Sequence, residues 1–250
     1  MPPGDPKYMQ QPNPAPAPFP FEEHLPQPVE DRKLDLEVAT LSSMIEQHVD
    51  NYYHTDQIDP ADVKNLDDAF PADLDVQRAG GAVAAGQESR GVALRQYISA
   101  VALSCIAPDG DPETTFLPKE AVALLGQVQP PREGDPAFSE AYNIWRTLTA
   151  YLLRPDPATE PTETAVSRVL ALLNSPLVPF AIPDRDADRV KNLRDILRRA
   201  AKLGLLLFEQ RERWEFYWTR GELSGEVVVF PALVRGTTGE VVRRADVERV

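Results

Sequence analysis

The stretch Tyr97–Ala107, YISAVALSCIA, constrains this chain more than any other. Only Ser99 and Ser104 interrupt its apolar run. Extended back to Val92, it makes a helix of about four turns at 3.6 residues per turn. A helix that is apolar all round has no solvated face, so it belongs in the middle of a domain. It is too short to cross a bilayer, which takes about 20 apolar residues. The expected fold is therefore mainly α, a multi-helix bundle built around a central apolar helix.

The surrounding sequence supplies amphipathic helices for that bundle. Leu34, Val38, Leu41, Ile45, His48 and Tyr52 recur at alternating steps of four and three, which places them on one stripe of a helix over 33–53. Asp31 is the expected cap. A short helix over 60–70 and a glycine-bearing loop over 71–91 lead into the central helix. Pro118 suits the first turn of the next helix, to about Val128. Asp135 and Pro136 open another, to Leu153, with Phe138, Ala141, Tyr142, Trp145, Leu148 and Leu152 as its expected inner face. Further helices are expected over 162–174 and 186–206, joined by an apolar connection broken by prolines. The second of these buries Val190, Leu193, Leu197 and Ala201.

After Leu206 the period changes. Trp214, Phe216 and Trp218 alternate with Glu215 and Tyr217, which is strand behaviour. Residues 226–234 form a second strand, apolar on both faces, in which Pro231 argues for an edge or a bulge. A short third strand is expected over 240–243. The C-terminal part, about 212–244, is thus a small antiparallel β-hairpin or three-stranded ribbon, its aromatic face laid on the helix of 186–206 over Val190, Leu193 and Leu197. Residues 1–30 are so rich in proline that neither helix nor sheet forms, because each proline removes an amide donor and fixes φ. They read as a disordered tail, and residues 31–250 as a single domain.

Charge narrows the functional classes. The net charge is -13, which repels nucleic acid and anionic lipid. It is unevenly spread. Residues 185–250 hold fourteen Lys and Arg against eleven Asp and Glu, a net of +3, which leaves -16 on residues 1–184. Lys191, Arg194, Arg198 and Lys202 share one face of their helix and form the candidate partner-binding site. A helix followed by a hairpin is also how a winged helix begins. The single cysteine, Cys105, makes no internal disulfide and behaves as a small buried hydrophobe. No signal peptide or membrane span is evident, and a cytoplasmic or nuclear location is the default.

No motif carries a recognisable reaction. Asp109, Asp111, Glu113, Thr115 and Glu120 match EF-hand ligand spacing. But Thr114 stands where that loop needs glycine, and Pro112 and Pro118 fall inside it, so the reading is an acidic surface loop. His48 and His54 lie six residues apart and cannot converge from one helix. Ser89 misses a nucleophile elbow because Gln87 replaces the first glycine. The expected catalytic, cofactor and metal sites are none.

Seven segments carry a family resemblance: His48-Val-Asp-Asn-Tyr-Tyr53, Leu117-Pro118, Trp145-Arg146-Thr-Leu148-Thr149, Arg189 with Asn192-Leu193, Ala200-Ala201-Lys-Leu-Gly204, Trp214-Glu-Phe216-Tyr-Trp218 and Phe230-Pro-Ala-Leu233. In this order the chain resembles a family of uncharacterised proteins of filamentous ascomycete fungi, over residues 34–234. Members look like helical domains preceded by a long proline-rich region, of which this chain has a short version, as a truncated member would. The resemblance implies a fungal source and a single domain, and no activity. The expected function is a non-enzymatic interaction module with an unidentified protein partner. The alternative is nucleic-acid binding through the 191–202 face and the hairpin.

Overall fold

The computed structural model describes residues 27–54, 56, 58–71, 87–128, 136–153, 160–218 and 226–249. Most of the proline-rich tail with His24, most of the glycine-bearing loop, the 129–135 loop with Asp135, and the 221–225 turn lie outside them. Among the described residues, seven α-helices precede the strands: α1 (Asp31–Tyr52), α2 (Pro60–Asp68), α3 (Gln87–Ser104), α4 (Lys119–Leu125), α5 (Pro136–Leu152), α6 (Glu160–Leu177) and α7 (Asp186–Phe208). Five strands follow: β1 (Trp214–Tyr217), β2 (Glu226–Phe230), β3 (Ala232–Arg235), β4 (Val241–Arg243) and β5 (Asp246–Arg249). The chain is mainly α with a small C-terminal antiparallel ribbon.

The apolar run does form the centre. No residue from Arg90 to Pro108 is exposed. Helices α1, α6 and α7 and strand β2 all pack on α3. The α3 helix begins at Gln87, earlier than the apolar pattern predicts, so Gly91 lies inside it. Its Gln96 side chain is buried and donates from Nε2 to the carbonyl of Val228 at 3.0 Å, fastening the helix to the ribbon. On α1, Leu34, Val38, Leu41, Ile45 and His48 are all buried, as their spacing requires. Glu30 rather than Asp31 takes the N-cap position, without a side-chain hydrogen bond. Helix α6 runs on through Pro176, and short 3-10 turns at Val178–Phe180 and Pro183–Arg185 fill the expected connection to α7.

Two expectations fail. The expected inner face of α5 is only partly buried, with Tyr142 and Trp145 half-buried against the cluster of Leu117, Val122 and Phe208. Phe138 and Leu152 are 40% and 70% exposed, while Arg146, Thr147 and Ala150 are buried. The helix is rotated by what Arg146 and Thr147 bond to, described below. The ribbon also differs from a hairpin of 214–218 with 226–234. Pro231 divides that second strand in two. The β3 half pairs with β1 and β4, and the β2 half pairs with β5, a strand the sequence reading lacks. Proline has no N–H for a ladder, so the strand changes sheets there. Trp214, Phe216 and Trp218 do face the main core, with Tyr217 outward. But the ribbon lies against α3 through β2 and against α1 through β4, not along α7.

Candidate functional site

The cationic face of α7 is positioned by the burial of eleven other residues of that helix. From Arg189 to Phe208 the exposed positions are Lys191, Arg198 and Lys202, with Arg194 half-buried beside them. The four residues do share one side, as their spacing requires. Two are held by Glu163 on α6. Arg198 donates from Nε and Nη2 to its two carboxylate oxygens at 2.7 and 2.9 Å, a fork of parallel hydrogen bonds. Arg194 lies 4.0 Å from the same carboxylate and donates to Ser167 at 3.0 Å. The hydrogen bond to Arg198 holds the Glu163 carboxyl below its usual range. Lys191 and Lys202 form no ion pair among the described residues. The face is thus two unpaired ammonium groups flanking an arginine–glutamate fork.

Much of the remaining positive charge of the C-terminal part is turned inward, onto α1. Arg235 reaches Asp31 at 2.5 Å, Arg243 reaches Asp35 at 3.3 Å, and Arg199 pairs with Glu37. The charge asymmetry read from the sequence is therefore largely a complementarity within the domain.

Beneath α7 a chain of hydrogen bonds joins it to α1. Arg189 is fully buried and grips Asp186 at 2.6 and 3.2 Å. Its Nη1 donates to the Tyr53 hydroxyl at 3.4 Å. Tyr53 and the Nε2 of His48 lie 3.1 Å apart, and the Nδ1 of His48 is 2.8 Å from the Asn192 carbonyl oxygen. One direction satisfies every group: Nδ1–H donates to Asn192, and Nε2 accepts from Tyr53. That needs a neutral ring. Burial pushes the His48 pKa down to about 4, with Arg189 adding to the effect against the Asn192 hydrogen bond. Burial pushes the Tyr53 hydroxyl up to about 12. The network is a structural joint in which neither ring titrates near neutrality.

A second joint closes the C-terminus of α7. Arg146 is 3% exposed and forms no ion pair with a carboxylate among the described residues. Its Nη1 donates to the Phe208 carbonyl at 2.8 Å, and its Nη2 to those of Gln210, Glu212 and Arg211 at 2.6, 3.0 and 3.2 Å. A cation here meets the negative end of the helix dipole and carbonyls that have no partner within the helix. Thr147 adds its hydroxyl to Gln210 at 3.3 Å. Gly204 completes the contact of α7 with the end of α3, since a Cβ there would lie 2.6 Å from Ile106.

The other sequence candidates resolve into structure. Asp111 accepts from the backbone of Glu113 at 2.9 Å, and Glu113 pairs with Lys119 and Arg168, so the acidic loop is bonded to itself and to α6. No three His, Cys, Asp or Glu converge as metal ligands among the described residues. Cys105 is 2% exposed, and burial raises its thiol pKa to about 12. No helix among the described residues is long and apolar enough to cross a membrane.

The molecule so described is a helical domain, with a cationic face on α7, capped by an antiparallel ribbon. Comparison of the chain with protein-family models, curated proteins and solved structures gave no match. No match therefore places the chain in the family expected from the seven segments. Five of them contribute to the joints just described, through His48, Tyr53, Arg146, Arg189, Asn192, Gly204 and the Pro231 break. Those residue strings make packing and hydrogen-bond contacts in the structure.

Proposed function

We propose that this chain is a non-catalytic interaction module of fungal origin that engages an acidic segment of a protein partner through the cationic face of α7. The observation that carries the reading is the pair of exposed, unpaired lysines at Lys191 and Lys202. Eleven residues apart on a helix, they stand about 16 Å from each other at 1.5 Å per residue. Between them the Arg198–Glu163 fork offers a guanidinium for which an incoming carboxylate competes. Two free lysines suit a short acidic peptide better than a duplex, whose binders neutralise many phosphates at once.

The test is fluorescence anisotropy with a labelled glutamate-rich peptide and, separately, a random DNA duplex, at low and moderate salt. The peptide is expected to bind, and Lys191→Ala with Lys202→Ala to weaken it by about tenfold, from two exposed ion pairs of up to about 1 kcal/mol each. Peptide affinity unchanged in that variant overturns the reading. Tight duplex binding with a steep salt dependence favours the nucleic-acid alternative instead.

A further inference from the structure

A cleft of about 300 Å³ opens on the opposite side of the core, between α1, α3 and the β2–β5 ribbon. Its two ends are built alike. At one, Arg95 is surrounded by Glu46 at 3.3 Å, Asp50 at 2.8 Å and Glu248. At the other, Arg243 meets Asp246 at 3.0 Å and Asp35 at 3.3 Å, and Asp246 also accepts the Ser42 hydroxyl at 2.6 Å. Five carboxylates thus meet two guanidinium groups, an excess of three negative charges, and three of the five, Glu46, Asp246 and Glu248, line the cleft. A carboxylate has about four acceptor sites, and Glu46 and Glu248 meet Arg95 through Oε1, so acceptor capacity remains at the Arg95 end.

Between these ends the lining includes the apolar side chains of Ile45, Val229 and Phe230. Ser99 lines the cleft at the Arg95 end, one turn along α3 from Arg95, and is 1% exposed with a hydroxyl that has no hydrogen-bond partner among the described residues. A buried hydroxyl without a partner marks a place where a polar group is expected. The ladder between β2 and β5 shifts register between Val228 and Phe230, along this same wall. Bulges of this kind are enriched beside binding sites.

Element geometry sets the spacing of the two ends. Asp246 and Glu248 are the inward positions of β5, two residues apart and so about 6.5 Å at 3.3 Å per residue. Ser42 and Glu46 stand one turn apart on α1, about 6 Å. The carboxylates at each end are already bonded to a guanidinium, which a metal ion would have to displace, and an anion is repelled by the charge excess. A molecule with a cation at each end and methylenes between them matches both ends and the apolar lining. The geometry points to a short α,ω-diamine as the ligand of this cleft, one ammonium at Glu46 and Glu248, the other at Asp246 beside Ser42.

Isothermal titration of the full chain with 1,4-diaminobutane, with butylamine and with Mg²⁺ tests this. Saturable binding of the diamine is expected, with butylamine at least about tenfold weaker, because one charged hydrogen-bond set is lost. Glu46→Gln removes a half-exposed carboxylate at the edge of the Arg95 cluster, and circular dichroism checks that the fold is kept. It should weaken the diamine by about tenfold and leave the peptide binding at α7 unchanged. Ser99→Ala, a smaller change at the Arg95 end, should weaken the diamine by a few-fold. No saturable diamine heat, equal affinity for butylamine, tighter binding of Mg²⁺, or full diamine affinity in Glu46→Gln would each overturn the assignment.

Discussion

Replacing Arg146 by methionine is expected to destabilise the domain more than any surface change, although no carboxylate is lost with it. The guanidinium is buried and makes four hydrogen bonds of 2.6–3.2 Å, all to carbonyls at the end of α7. Two effects oppose each other. Burying the cation is costly, and burial pushes its pKa down to about 10. Removing it leaves carbonyls at the helix end without a donor, at about 1–3 kcal/mol for each group that water cannot reach. Methionine relieves the first cost and fills much of the volume, but offers no donor. Breaking a buried charged contact from one side typically costs about 3–5 kcal/mol. At about 2–4 °C per kcal/mol for a domain of this size, the melting midpoint should fall on the order of 10 °C by differential scanning fluorimetry. Lysine keeps the charge but not the fork, and should fall between the two. If Arg146→Met melts within about 2 °C of the parent, the carbonyls are satisfied by water and Arg146 is not what holds α5 against α7.

Three further outcomes follow from the same joints. His48 binds a proton in the unfolded chain below about 6.5 and in the folded one only near 4. Its contribution is therefore fully present above pH 6.5 and lost as pH falls toward 4, to a limit of about 3 kcal/mol; His48→Gln should flatten that part of a urea-midpoint-against-pH curve. Gly204→Ala sets a methyl 2.6 Å from Ile106, so an overpacking cost of about 1–3 kcal/mol should exceed the helix-propensity gain of about 1 kcal/mol and lower the melting midpoint. Cys105, buried and with its thiol raised to about 12, should react with a thiol reagent only after denaturant is added; rapid native labelling would mean the end of α3 is open.

Much of the fold was legible because it is local. The buried stripe of α1, the unsolvated α3 and the alternation at Trp214, Phe216 and Trp218 are all periodicities within one element. What was missed is pairing between distant elements. Strand β5 alternates Asp246 and Glu248 with Val247 and Arg249, so its inward residues are charged and give no apolar signal; they face Arg95 and Arg243. Strand 226–234 reads as one apolar run, and only Pro231 hints that it changes sheets. The rotation of α5 follows from carbonyls some sixty residues away, which no pattern within α5 reveals. The candidate face was legible in the same partial sense. The spacing of Lys191, Arg194, Arg198 and Lys202 put them on one side, whereas Glu163, which occupies Arg198, comes from another helix.

Lysine footprinting with an amine-reactive acetylating reagent and mass spectrometry tests the proposed role of α7 most directly. In the free protein Lys191 and Lys202 should label readily, as should Lys33, an exposed lysine on α1. With the glutamate-rich peptide near saturation, Lys191 and Lys202 should be protected several-fold while Lys33 labels at its original rate. Equal labelling of all three with the peptide bound, or protection of Lys33 alone, would contradict the assignment of partner binding to this face.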